Sequence, residues 1–351
     1  MTQGGKPRIA IDAMGGDVGP AVMVAGAVMA QTQLPGVDFL LFGDEAAIRA
    51  ELSAHQADMA RFNVIHCPEV ISGSDKPTQA IRRAKTTSMG QMIDAVKTGK
   101  AQAALSGGNT GALMAMSKLS LRMLPSIDRP AIAALLPTLG TNDMVMLDLG
   151  ANTECNARNL FQFALMGAAY ARSFLDIERP RVALLNIGTE ELKGTDELKE
   201  AAALLREAKY LDMEFQGYIE GDKISRGEAD VVVTDGFSGN IALKTAEGTA
   251  RFVTDLLKRA FTSSLRSKLG FLISRPAAEL LRHHLDPNNH NGGVLLGLNG
   301  LVVKSHGGAN ARGVANAIRV AAKLIDHQLT RKITEDLESF RAHHKGEEIA
   351  G

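Results

Sequence analysis

Apolar and polar positions along the chain fall into two alternating patterns. Short, near-continuous runs of Val, Ile, Leu and Ala at Arg8–Asp12, Val37–Phe42, Arg61–His66, Ala101–Ser106, Met144–Asp148, Arg181–Asn186, Asp230–Thr234 and Gly300–Val303 predict strands covered on both faces. Longer Ala- and Leu-rich segments between them, such as Ala157–Phe174 and Thr195–Lys209, predict helices. The cleanest helical period lies near the end, where Val314, Ala317, Ile318, Ala321, Leu324, Ile325 and Leu329 share one face. Alternation of this kind specifies an α/β fold, a three-layer α/β/α sandwich around a mostly parallel sheet. No long linker interrupts it, so residues 1–351 read as a single domain, closed by a charged tail after Arg331 that is expected to fray.

Composition narrows the class. Lys plus Arg and Asp plus Glu number 39 each, which removes a whole-molecule electrostatic case for binding nucleic acid. The absence of Trp and the presence of only three Tyr leave few platforms for stacking bases. Two lone thiols, Cys67 and Cys155, point to a reducing compartment without a disulfide framework. The polar N-terminus lacks a signal-peptide pattern, and no run nears the roughly 18 apolar residues of a membrane span, so a cytoplasmic protein is expected.

In open α/β sheets ligands gather at the carboxyl ends of strands, so the loop after each strand is informative. The loops are Ala13-Met14-Gly15-Gly16-Asp17, Ser106-Gly107-Gly108-Asn109-Thr110, Leu149-Gly150-Ala151-Asn152, Asn186-Ile187-Gly188-Thr189-Glu190 and Asp235-Gly236-Phe237-Ser238-Gly239-Asn240. Glycine lets the backbone approach a ligand, and a helix N-terminus after the loop aims N–H groups at an anion. One such loop would read as a tight turn. Five predict an anion-binding floor at one sheet edge. Neither a dinucleotide fingerprint nor a P-loop is present.

Among cationic candidates, Lys304-Ser305-His306 stands out because it joins an apolar strand to the final helix, which places His306 at a helix N-terminus in this reading. Lys193, Lys244, Arg82 and Lys85 read individually as surface charges. Neither cysteine has a paired histidine, and no G-x-S-x-G elbow is present. His283, His284 and His290 lack the spacing of a metal site, so neither a metal nor another cofactor is expected. Leu256–Leu285 carries six basic residues against the single acid Glu279, interleaved with Leu265, Leu269, Phe271, Leu272 and Ile273. A basic amphipathic excursion of this kind suits an anionic membrane surface, an acidic partner or a dimer interface.

The ordered motifs Ile11-Asp12-Ala13-Met14-Gly15-Gly16-Asp17, Asp75-x-Pro77 with Arg82, Lys85, Ser88 and Met89, and Ser106-Gly107-Gly108-Asn109-Thr110-Gly111 resemble the phosphate acyltransferase family. The resemblance continues through Asp148-x-Gly150-Ala151-Asn152, Asn186-Ile187-Gly188-Thr189-Glu190, Thr234-Asp235-Gly236-Phe237-Ser238-Gly239-Asn240 and Lys304-Ser305-His306-Gly307, nearly end to end. It implies a fold similar to phosphotransacetylase and to isocitrate and isopropylmalate dehydrogenases, usually in a homodimer. It also implies reversible acyl transfer from acyl carrier protein to inorganic phosphate. The acyl phosphate would pass to a membrane glycerol-3-phosphate acyltransferase for phospholipid synthesis, and Leu256–Leu285 would make the peripheral membrane contact. A thioester is already activated, so direct attack by phosphate fits the missing nucleophile. On this reading His306, Lys304 and Asn109 are the catalytic candidates. Gly15, Gly16, Asp17, Ser106, Gly108, Thr110, Asn152, Thr189, Asp235, Ser238, Gly239 and Asn240 are the substrate- and phosphate-binding candidates. A short-chain, CoA-dependent phosphotransacylase is the alternative, followed by a nucleotide-dependent dehydrogenase and a noncatalytic scaffold.

Overall fold

The computed structural model describes residues 6–350, the side chains of His283 and of residues 344–350 excepted. Its strands are β1 (Arg8–Asp12), β2 (Asp38–Gly43), β3 (Phe62–His66), β4 (Ala103–Ser106), β5 (Ala131–Leu136), β6 (Met144–Leu147), β7 (Arg181–Leu185), β8 (Glu214–Ile219), β9 (Val231–Val233), β10 (Gly293–Leu296) and β11 (Leu301–Lys304). The α-helices are α1 (Pro20–Gln33), α2 (Glu45–Ala54), α3 (Pro77–Arg82), α4 (Ser88–Lys97), α5 (Thr110–Leu121) and α6 (Ala157–Phe174). They continue with α7 (Asp196–Glu207), α8 (Gly236–Thr262), α9 (Leu265–Leu285), α10 (Ala311–Asp326) and α11 (Leu329–Ala350). All strands join one sheet in the order β3-β2-β1-β4-β11-β10-β5-β6-β9-β7-β8.

Each run of the sequence pattern became a strand, with its ends moved by no more than two residues. Strands β5, β8 and β10 were not anticipated. The first is Ala131-Ile132-Ala133-Ala134-Leu135-Leu136, whose alanines and leucines favour a helix on propensity alone. Strand β8 is a polar edge strand interrupted by Gly217, and β10 opens on a glycine. Tertiary pairing decides all three.

Those strands also change the geometry. Pairings β11–β10, β10–β5 and β5–β6 are antiparallel and every other pairing is parallel. The sheet is therefore mostly parallel, but in two blocks of opposite direction. The block β3-β2-β1-β4-β11 points its carboxyl ends at one edge, and β6-β9-β7-β8 points them at the other. The five glycine loops do not share one edge. Those after β1 and β4 lie with the β11 loop on the first edge, and those after β6, β7 and β9 lie on the second.

Helices cover both faces. The larger core lies on the side of α1, α6 and α10, where Val24, Phe163, Tyr170, Ala317 and Ile318 are buried. On the opposite face, α4 and α5 bury Met89, Met92, Leu113 and Met116 against the first block. Helix α10 buries the predicted stripe Val314, Ala317, Ile318, Ala321 and Leu324, and its N-cap Asn310 accepts from Gly313 N. The segment after Arg331 does not fray as expected. Helix α11 buries Leu329, Ile333 and Leu337, and packs Phe340 against Phe161 in a tilted pair with ring centroids 4.6 Å apart. The largely buried pair Arg172–Asp336 ties it to α6. Replacing Leu337 with Ala should cost about 2–5 kcal/mol, the usual range for emptying a core leucine site. Urea unfolding measures it directly, and an unchanged midpoint would mean the tail is detached.

Candidate active site

Strand register assembles the first edge. Asp12, Ser106 and Lys304 pair side by side at the carboxyl ends of β1, β4 and β11. A charged or hydroxyl residue closing an apolar strand is their shared signature in the sequence. Side chains in register on parallel neighbours point to the same face, so these three form a row. The Ser106 hydroxyl donates to Asp12 Oδ2 at 2.7 Å, Met14 N donates to Asp12 Oδ1 at 3.3 Å, and Gly108 N donates to Ser106 Oγ at 3.0 Å. Asp12 thus stitches the β1 and β4 loops together. Its carboxyl is fully buried, and that burial pushes its pKa upward against the hydrogen bonds that favour the charge.

The two loops touch backbone to backbone. A Cβ on Gly15 would sit 2.9 Å from Gly108 N and 3.0 Å from Gly107 N, and one on Gly107 would sit 3.2 Å from Gly16 N. The glycine pairs are needed for each other before they are needed for a ligand. Asp17 closes the third side, donating its N–H to Gly307 O at 2.9 Å across to the β11 loop. Among the described residues, the Gly16 and Gly107 N–H groups find no acceptor in the protein. Those of Thr110 and Gly111 open α5 and have no intrahelical acceptor. Unpaired donors from two loops and one helix terminus are the kind of group that binds an anion.

Lys304 supplies the charge. Its ammonium donates to Gly107 O at 3.2 Å and to Ser305 O. Burial lowers its pKa to about 8, although Asp17 and Asp12 pull the other way. His306 lies in the loop ahead of the N-cap Asn310 rather than at the helix N-terminus itself. Its Nδ1 accepts from Gly308 N at 3.1 Å, which leaves the proton of the neutral ring on Nε2. Burial first, and then Lys244, Lys304 and Arg251, hold its pKa below the ordinary value against the opposing pull of Glu247. Helix α8 starts on the second edge, and the charges of its Lys244, Glu247 and Arg251 act on this ring.

Asn109 differs from its predicted role. Its Oδ1 accepts from Ala112 N at 3.0 Å as the cap of α5, and its Nδ2 donates to Gly73 O at 2.8 Å and Asp75 O at 3.2 Å. A fully engaged amide positions the loop before α3 and has no donor left for an oxyanion. Thr110 is exposed at the helix start.

The second edge is a packed socket. Asp148 accepts from Ile132 N at 2.9 Å, Ala151 N at 3.0 Å, Asn152 N at 2.8 Å and Asn152 Nδ2 at 2.8 Å. Most of the N–H groups that open α8 are taken as well: Gly236 N donates to Asn152 O at 2.7 Å, Ser238 N to Asp235 Oδ1 at 2.8 Å and Gly239 N to Asp235 O at 2.9 Å, while Phe237 N finds no acceptor among the described residues. A Cβ on Gly239 would lie 1.9 Å from Asp148 O. Asn152, Asp235, Ser238 and Gly239 therefore serve the seating of α8, and their expected phosphate contacts are corrected on that ground. Asn240 and Thr189 are exposed on this same edge. Cys155 stands beside the socket, its thiol pushed up to about 12 by burial and then by Asp148 and Asp235, which suits no nucleophile. Among the described residues no three His, Cys, Asp or Glu side chains group as a metal site.

Phosphate affinity should fall as pH rises through about 8, the range in which Lys304 loses its proton, by about tenfold per unit at most. The KM for phosphate across this range measures the effect. Lys304→Arg, whose guanidinium stays charged, should flatten the decline. A flat profile in the unsubstituted protein would remove Lys304 from the site.

Comparisons with known proteins cover nearly the whole chain. A family model described as fatty acid synthesis protein matches residues 7–332. A phosphate acyltransferase from Erythrobacter litoralis is 65% identical over 94% of this chain and 93% of its own length. One from Afipia carboxidovorans is 53% identical over 94% of each. Phosphotransacetylases from Staphylococcus aureus and Streptococcus pyogenes share the fold, with a TM-score of 0.60 each at 18% and 19% identity, over 91% of this chain and 94% of theirs. With matches of this identity along nearly its whole length, the chain belongs to the phosphate acyltransferase family, and it is an acyltransferase.

Proposed function

We propose that this acyltransferase moves a fatty acyl group reversibly from acyl carrier protein to inorganic phosphate at the first edge of the sheet. The observation that carries the reading is that unpaired Gly16, Gly107, Thr110 and Gly111 N–H groups lie on the same sheet edge as the buried Lys304 ammonium, which bonds Gly107 O. Fixed donors in a partly buried site hold phosphate in line with a thioester carbonyl without reorganising during reaction. A phosphate oxygen attacks the carbonyl carbon, the carbonyl becomes an oxyanion, and its collapse breaks the C–S bond. Neutral His306 suits the oxyanion, because its Nε2–H donates while Nδ1 is held by Gly308. Lys304, balanced near pH 8, matches the departing thiolate as a proton source, since model thiols titrate at about 8.5. Losing one oxyanion donor costs about 10²–10³ in turnover. His306→Ala should show that loss with its fold intact by circular dichroism, and full activity would end the assignment. Long-chain acyl carrier protein and acetyl-CoA, offered side by side with phosphate, decide the donor, since the fold shared with phosphotransacetylases favours CoA as the second reading.

Helices α8 and α9 support the peripheral membrane role and the homodimer. The hairpin begins at α8, upstream of the predicted start at Leu256, and its apolar residues Phe252, Leu256, Leu265, Leu269, Leu272 and Ile273 are exposed. Exposed apolar surface of this extent beside basic residues fits both a second copy at the stem and anionic lipid at the tip. The acyl phosphate would then be released next to a membrane glycerol-3-phosphate acyltransferase. No described helix is long and apolar enough to cross a membrane. Leu265→Glu with Leu269→Glu should abolish sedimentation with anionic vesicles while leaving acyl phosphate formation in solution intact. Undiminished sedimentation would refute the membrane role.

A further inference from the structure

The hairpin returns to the sheet through residues 286–292, and this return leg is wired into the His306 loop. Asp286 accepts from Asn288 N at 2.9 Å and pairs with Arg312 on α10. Asn288 Oδ1 accepts from Asn310 N at 3.0 Å, and Asn316 Nδ2 donates to Asn288 O at 2.7 Å. His290 Nδ1 lies 3.2 Å from Asp143 Oδ2, which fixes the leg to the turn before β6. The innermost link is Asn291, only 7% exposed. Its Nδ2 donates to Ser305 Oγ at 2.8 Å and to Gly313 O at 2.8 Å, and its Oδ1 accepts from His306 N at 2.8 Å.

Two of the three hydrogen bonds of this amide go to the segment that carries His306, and the third ties it to α10. A buried amide with all its hydrogen bonds made fixes its neighbours in one arrangement, because any other leaves a polar group unpaired in the interior. Ser305 is fully buried and its N–H donates to Ser106 O at 2.9 Å, so the clamped peptide continues into the β4 loop. Lys304 bonds the Ser305 carbonyl as well. Asn291 touches neither the row of Asp12, Ser106 and Lys304 nor the free N–H groups. What it controls is the backbone from which the imidazole projects.

We propose that Asn291 is a positioning residue for the transfer reaction. It holds the Ser305–His306 peptide so that His306 Nδ1 meets Gly308 N and the proton of the neutral ring stays on Nε2. This rests on the reading of His306 as a donor in the site. An error of about 1 Å at a reacting group can cost on the order of 10² in rate. Asn291→Ala is therefore expected to lower kcat by about that factor while leaving the KM for the acyl donor within about twofold.

The decisive readout is the imidazole itself. In ¹⁵N spectra of the full chain, with His306→Ala locating the signal, the ordinary protein should show His306 with its proton on Nε2. In Asn291→Ala the signal should move toward the averaged tautomers of a free ring. Asn291→Asp keeps the volume and an acceptor for His306 N while adding negative charge, so it should raise the His306 pKa and move the acid limb of kcat upward. It stands in should the alanine variant not fold. An unchanged His306 signal in a folded Asn291 variant would overturn the proposal, as would an unmoved acid limb in Asn291→Asp. Full activity in His306→Ala would instead defeat the functional reading, and the spectra would still report whether Asn291 orients the ring.

Discussion

A carboxylate buried at the end of a central strand constrains the rest of the site. Asp12 sits where water cannot reach it, so its hydrogen bonds must come from the protein. Ser106 and Met14 N provide them, and in doing so they fix the β1 and β4 loops against each other. The fit leaves no room for side chains at Gly15 and Gly107. Lys304 completes the row from β11. Burial disfavours the charge of each partner, and each favours the charge of the other. The outcome is a cation and several unpaired N–H groups held in place before any substrate arrives, which is the arrangement that electrostatic catalysis requires.

The second edge uses similar residue types for a different purpose. Asp148 resembles Asp12 in its burial and its backbone donors, yet it takes four of the donors around it, from Ile132, Ala151 and Asn152, for itself. Its role is to seat α8, and α8 links the two edges. The helix is anchored at Gly236 and Gly239 and carries Lys244, Glu247 and Arg251 past His306 before turning into the exposed hairpin. Through the return leg at Asn288 and Asn291, the same hairpin reaches the site a second time. The exposed hairpin and the His306 loop thus share one covalent and hydrogen-bonded path.

Much of this was legible in the residues. Apolar runs marked the buried strands because a strand covered on both faces has no polar side to show. The period of Val314, Ala317, Ile318 and Ala321 marked α10 for the same reason in helical form. Strands β5 and β10 were hidden by alanine and glycine, and they carry the antiparallel pairings that reverse the sheet. Missing them meant missing the reversal, so loops on two edges were assigned to one. The glycine loops themselves were conspicuous, but glycine permits close approach to protein and ligand alike. Only the accounting of N–H groups separates Gly16 and Gly107, which are open, from Gly236 and Gly239, which are engaged. Asn109 likewise carried the right chemistry for an oxyanion and was already committed to capping α5. Asn291 had no local signal, because its importance comes from partners at Ser305, His306 and Gly313.

The central claim is that phosphate is held on the first edge. A crystal structure of the full chain with bound phosphate tests it most directly. The ion should lie at the start of α5, within hydrogen-bonding distance of Gly16, Gly107 or Thr110 N–H and of Lys304 Nζ. An ion seated instead at the start of α8, or in the Asn186–Glu190 loop, would contradict the account.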